Sequence, residues 1–281
     1  MKSLKSAIAA CGLTALASLA PARSEAALVE LSALESTLTT TPLYGAAITS
    51  EGKLGLGTAT IFEYANDLSS SSELVTPVQV DDAGTWNDQY VLLSDGTGII
   101  DLVDLSTGYT TATSTLNGYD ISGISSAFEY NGSTYYAIMD SNDDTVKFFE
   151  WGSDTLVATG PYVGENYTGL EVLITGTITN LDDIPILVSR DAESGVMLDQ
   201  YYHGTIVGSY TDTSEDLITD ISYDSETGIL TASHDMRGRL GKITNYDFAQ
   251  YVIPEPNVGL LAGLGVLGAA AMYQNRKRKD A

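Results

Sequence analysis

Apolar residues recur in short runs, and clusters of Gly, Asn, Asp and Ser separate the runs. Tyr135-Tyr136-Ala137-Ile138-Met139 is unbroken and predicts a strand buried on both faces. Val146-Lys147-Phe148-Phe149-Glu150-Trp151 alternates imperfectly and predicts its hairpin partner. Asn131-Gly132, just before the first of these, is a strong signal for a tight hairpin turn.

The same unit, strand then acidic turn then strand, returns along the chain. Its turns centre on Glu51, Asp95, Asp140, Asp191 and Asp235, at intervals of 44, 45, 51 and 44 residues. A further strand precedes three of the hairpins. Ile121-Ser122-Gly123-Ile124-Ser125 matches Tyr167-Thr168-Gly169-Leu170-Glu171 and Ile218-Thr219-Asp220-Ile221-Ser222. Fourth strands follow, such as Leu156–Thr159 and Thr205–Gly208. Four strands in a repeat of roughly 45 residues is one propeller blade. The expected fold is therefore all-β, a five-bladed propeller of four-stranded blades over residues 27–252. A two-sheet β-sandwich is the alternative.

The pattern breaks at both ends. Lys2 and Lys5 precede a short apolar stretch, Ser6 to Ala20, and small residues follow. This order predicts a secretory signal peptide over residues 1–26, with cleavage between Ala26 and Ala27. The only cysteine, Cys11, falls inside it, so the mature domain is expected to carry no disulfide and no thiol chemistry. At the other end stand Pro254-Glu255-Pro256, an apolar segment over 258–273, and Arg276-Lys277-Arg278-Lys279. The prolines end the preceding structure, and the basic cluster stays on the cytoplasmic side of a membrane. The domain is then outside.

This C-terminal sequence of 253–281 resembles the PEP-CTERM sorting signal of Gram-negative bacteria. The resemblance implies processing near Pro254-Glu255-Pro256 by an exosortase, after passage through the secretion translocase and cutting by signal peptidase. It also implies transient inner-membrane anchoring, a final place at the cell surface or outside, and a host that makes exopolysaccharide. The third and fifth repeats, as in Asp220-Ile221-Ser222-Tyr223-Asp224, resemble blades of bacterial esterase-like and phytase-like propellers, which implies fold only.

Charge narrows the partners. All acidic residues but Glu25 and Asp280 lie between Ala27 and Pro256, against six basic ones, in a chain of net charge −24. Such a field repels nucleic acid and anionic lipid and favours cations. With two histidines and no mature cysteine, a zinc site is not expected. His234-Asp235 reads as part of an exposed acidic turn, and no triad or phosphate loop is legible, so no catalytic residue is assigned. Arg237, Arg239 and Lys242 form the one basic patch. Asp140, Asn142 and Asp144 occupy alternate positions of one turn and are the candidate calcium ligands, calcium being a hard cation that takes several oxygens. The expected function is that of an exported, non-catalytic binding or structural module associated with exopolysaccharide; the alternative is a secreted hydrolase of phosphoesters, esters or glycans.

Overall fold

Asn131 and Gly132 both adopt positive φ, 51° and 82°, the left-handed geometry that a two-residue hairpin turn requires. Turns of this kind punctuate a computed structural model that describes residues 28–252, except 165–166, 175–177, 191–196, 212–216 and 237–239.

Two N-terminal strands, β1 (Leu28–Glu30) and β2 (Ala33–Thr39), come first. Blade 1 holds β3 (Gly45–Ile48), β4 (Lys53–Gly57), β5 (Thr60–Tyr64) and β6 (Ser71–Val75). Blade 2 holds β7 (Asp82–Thr85), β8 (Tyr90–Ser94), β9 (Ile99–Asp104) and β10 (Thr110–Thr115). Blade 3 holds β11 (Ile121–Ile124), β12 (Phe128–Tyr130), β13 (Ser133–Asp140), β14 (Thr145–Glu150) and β15 (Thr155–Tyr162). Blade 4 holds β16 (Tyr167–Val172), β17 (Ile186–Arg190), β18 (Leu198–Tyr202) and β19 (Thr205–Thr211), and β1 adds a parallel outer strand beside β19. Blade 5 holds β20 (Leu217–Asp224), β21 (Ile229–Met236) and β22 (Leu240–Asp247), and takes its outermost strand, β2, from the N-terminal end of the domain. The described residues contain a single short 3-10 turn, Leu181–Asp183, and no helix long and apolar enough to cross a membrane.

The first strands of the blades, β3, β7, β11, β16 and β20, contact one another in a closed ring around an axis. The expected five-bladed propeller is the fold, and the sandwich is not. Each blade buries both faces against its neighbours, which is why its central strands read as continuous apolar runs. In β13, Tyr136 and Ile138 pack with Leu92 and Ile100 of blade 2, whereas Ala137 and Met139 pack with Leu170 and Val188 of blade 4. Close approach of the inner strands demands glycine in places. A Cβ on Gly84 would lie 2.2 Å from the Ser125 carbonyl oxygen, and one on Gly169 would lie 2.7 Å from Asp220 Cα.

Two details depart from the sequence pattern. Glu51 belongs to the turn between the first and second strands of its blade, whereas Asp95 and Asp140 mark turns between the second and third. Its spacing matches because the first blade is shorter, not because the turns are equivalent. His234 and Asp235 lie inside β21, paired with Lys242 and Gly241, and His234 is fully buried instead of standing in an exposed turn. Strand alternation sends His234 into the blade interface, a burial that its acidic neighbour masks in the sequence.

Candidate functional site at the axial mouth

The inner strands all run in one direction along the axis, so their C-terminal ends surround one opening. Ile48, Thr85 and Tyr223 come from the ends of β3, β7 and β20, and Ser126 follows β11. With Thr49, Ser50, Trp86, Asp88, Ala127, Asp224, Ser225 and Glu226 they line a depression of about 340 Å³. Two aromatic residues, several hydroxyl-bearing residues and three acids thus border one opening, where the Trp86 ring also packs on Trp151 at 5.1 Å and the Tyr223 ring on Phe248 at 6.2 Å. No Lys or Arg is among its described lining residues. A second depression of about 490 Å³ runs outward between blades 1 and 2 and shares Thr49 and Asp88 with the first. The boundary is a strap, in which the Ser50 N–H donates to Asp88 Oδ1 at 2.7 Å.

Glu171 is buried behind the mouth and bonded to two of its lining residues. Its Oε1 accepts from the N–H groups of Val172 and Ser126, at 2.8 and 3.1 Å. Its Oε2 accepts from Ser126 Oγ at 2.7 Å and from the Tyr223 N–H at 3.2 Å. One carboxylate on blade 4 therefore holds lining residues of blades 3 and 5. Burial pushes its carboxyl up to about 7, against the opposing pull of the Ser126, Val172 and Tyr223 donors.

Deeper on the axis, Asp220 Oδ2 accepts from the N–H of Ala46 and of Ala83, at 2.7 and 3.3 Å. The carboxyl of Asp82 lies within hydrogen-bonding reach of Asp220. Asp82 Oδ2 has no donor when both groups are ionised, and a proton shared with Asp220 supplies one. Burial raises both carboxyls well above the usual range, and repulsion by Asp82 raises Asp220 further. Two carboxylates this close do not both ionise readily. The pair joins the inner strands of blades 2 and 5 and, through Ala46, that of blade 1.

The expected calcium turn lies at the opposite ends of the inner strands from this cup. Asp140 is buried and its Oδ2 takes an ion pair from Lys147 Nζ at 2.5 Å. Its Oδ1 accepts from the Asn142 backbone and side-chain nitrogens, at 3.1 and 3.0 Å. Lys147 also pairs with Asp143 at 2.7 Å, and Tyr119 lies beneath its ammonium group at 5.3 Å. Asp144 is at positive φ, 55°, in the turn itself. The positive charge that Asp140 faces is therefore the chain's own lysine. Among the described residues no group of three or more His, Cys, Asp or Glu side chains is arranged to hold a metal.

The expected signal cleavage pair Ala26 and Ala27, the expected sorting motif Pro254, Glu255 and Pro256, and the tail Arg276, Lys277, Arg278 and Lys279 lie outside the described residues, as do Arg237 and Arg239. Sequence reasoning missed the mouth. Trp86 and Asp88 lie in a polar connection before Tyr90, and their only signal is a tryptophan outside any apolar run. It also missed the buried acids, whose signal is an acid inside an apolar inner strand, where Asp220 stands in place of Gly123 and Gly169.

No family model and no curated protein matches the sequence. Among solved structures, the glutaminyl cyclase of Myxococcus xanthus is similar at 12% identity, over 78% of this chain and 98% of that one, with a TM-score of 0.56. The RRP9 WD40 repeats show 10% identity over 77% of this chain and 100% of theirs, at 0.45. The hydrazine synthase of Kuenenia stuttgartiensis shows 11% identity over 76% of this chain and 58% of that one, at 0.42. At this level of identity the likeness is one of fold, and the chain is a five-bladed β-propeller.

Proposed function

We propose that this chain is an exported binding module that associates with the exopolysaccharide of its host and takes glycan at the axial mouth. The observation that carries this reading is the lining of the cup, where Trp86 and Tyr223 stand among Thr49, Ser50, Thr85, Ser126 and three carboxylates. Aromatic faces that pack on the apolar face of a sugar, ringed by hydroxyl and carboxylate hydrogen-bonding groups, are the chemistry a polyhydroxylated ligand requires. The N-terminal signal and the C-terminal motif supply the route, through the translocase, signal peptidase and exosortase, to the cell surface or beyond. The acidic field disfavours nucleic acid and uronic acid polymers alike. Isothermal titration of the purified domain with the host's exopolysaccharide tests the binding. Heat of binding that Trp86→Ala abolishes is the expected result, and no heat with the natural chain overturns the reading. Mass spectrometry of the mature protein tests the route: ends at Ala27 and near Pro254 are expected, and Glu255→Ala should leave uncut precursor in the membrane.

A second reading, a secreted hydrolase, is favoured by one contact. Ser126 Oγ, on the wall of the cup, donates to the buried Glu171 carboxylate at 2.7 Å. A hydroxyl paired with a carboxyl that titrates near neutrality has the parts of a nucleophile and its base. Turnover of ester, phosphoester or glycan substrates, lost in Ser126→Ala, would support it.

A further inference from the structure

We propose that the axial mouth selects a protonated amine, so that the glycan bound there carries free amino groups, as a de-acetylated hexosamine polymer does. This rests on the glycan reading above and specifies its ligand. The three charges on the rim come from two blades. Asp88 follows the inner strand of blade 2, and Asp224 and Glu226 stand in the first turn of blade 5. Asp88 and Glu226 are exposed, and Ser50, which faces Asp88 from blade 1, brings only its backbone N–H. Among the described residues the cation paired electrostatically with this rim is Lys53, which is buried in β4 and offsets the charge of Asp224. The rim therefore keeps a net negative charge after its own ion pairing.

The two rings add a second preference of the same sign. An ammonium group over an indole or phenol face is attracted by the ring's quadrupole, and Trp86 and Tyr223 both border the cup. A neutral acetamido sugar would use the rings but leave the carboxylates without a partner of opposite charge. A uronic acid would be repelled by Asp88 and Glu226 together. An amino sugar satisfies rings and carboxylates at once, and the field of the whole domain speeds its approach. The two depressions share Thr49 and Asp88, so a polymer lying across the mouth continues into the depression between blades 1 and 2 over the Ser50–Asp88 strap.

The test compares three tetramers at low salt by titration calorimetry: glucosamine, N-acetylglucosamine and galacturonic acid. The glucosamine tetramer should bind about tenfold tighter than the acetylated one. The advantage should shrink with added salt and disappear in Asp88→Asn with Glu226→Gln. Both positions are exposed, and asparagine keeps the oxygen that Ser50 requires, so the variants should melt as the natural chain does. Equal or tighter binding of the acetylated tetramer overturns the amine inference and leaves the glycan reading standing. A glucosamine preference that survives both substitutions places the amine elsewhere and overturns it too. Binding of none of the three, together with none of the host polymer, overturns both.

Discussion

The carboxylate of Asp220, on the inner strand of the fifth blade, accepts a hydrogen bond from the backbone N–H of Ala46, on the inner strand of the first, at 2.7 Å. This contact closes the ring where apolar packing is thinnest. The seam brings Leu43, Phe62, Tyr64 and Leu68 against Ile243 alone from blade 5. Polar contacts do the rest: Thr219 Oγ1 donates to the Leu43 carbonyl at 2.9 Å, and Asn245 Nδ2 to the Asn66 carbonyl at 3.2 Å. The outer strand β2, pairing with β22, clamps the same blade from outside.

Asp220→Ala should therefore cost about 2 kcal/mol or more, because the buried N–H groups of Ala46 and Ile221 lose their acceptor. Asp220→Asn should cost less, since it keeps an oxygen for Ala46 and needs no shared proton with Asp82. Denaturant unfolding measures both, and hydrogen exchange at Ala46 should quicken in the alanine variant before exchange in blade 3 does. Equal losses in the two variants would refute the seam argument.

Stability should also fall between mildly acidic and neutral pH. The folded state holds the Glu171 carboxyl up at about 7, above its ordinary 4.5, because burial disfavours the charged form. A raised carboxyl contributes stability that is full below 4.5 and lost as pH climbs through about 7. The raised carboxyls of Asp82 and Asp220 act in the same direction. The effect of Glu171 alone is on the order of 3 kcal/mol across that window. Melting curves from pH 5 to 8 should show the decline, and Glu171→Gln should flatten it. An unchanged slope in the variant would assign the decline to the general negative charge of the chain instead.

Much of this fold is legible in the sequence, and the reason is geometric. Both faces of a blade are buried, so Tyr135–Met139 and its counterparts appear as unbroken apolar runs at a repeat of one blade. The inner strands announce themselves by similarity, as Ile121–Ser125 and Tyr167–Glu171 do. The cup is not legible, because its walls come from connections after β3, β7, β11 and β20 that share no pattern. Glu171 and Asp220 sit in strands that the repeat identifies, yet their carboxyls meet partners 45 and 174 residues away, Ser126 and Ala46. Only the closed ring brings those together.

Calcium should not raise the melting temperature of the natural chain, because the ammonium group of Lys147 already faces Asp140 and Asp143. Lys147 is buried, and the paired acids hold its amine above the ordinary range despite that burial. Removing it by Lys147→Met leaves buried Asp140 without its counter-charge, a loss of about 3–5 kcal/mol. Lys147→Met with Asp140→Asn should recover much of that loss. Calcium should then stabilise the single variant, where Asp140, Asn142 and Asp143 are released, more than the double. Thermal unfolding with calcium, with magnesium and with chelator reads this directly, and a calcium-specific rise in the natural chain would restore Asp140, Asn142 and Asp144 as ligands.

The last described residues place the chain's exit beside the mouth. Phe248 donates its N–H to the carbonyl of Gly228, which closes the turn that carries Glu226, at 2.9 Å. Its ring meets Tyr223, a wall of the cup, at 6.2 Å. The five residues from 253 to 257 separate Val252 from the apolar segment at 258–273, and they reach at most about 18 Å. If that segment is held in a membrane, as the proposed route requires, Val252 is kept within that distance of the bilayer and a polymer has less room to lie across the mouth beside it. Binding should therefore be weak in the anchored precursor and full once the C-terminal signal is removed. The expected outcome is at least several-fold stronger capture of amino-glycan by a chain ending at Val252 than by the full chain in liposomes. A long Gly/Ser insert after Val252 should restore capture without cleavage, because a flexible linker frees the face. Equal capture by the short-tethered and released forms would show that the cup does not face the membrane.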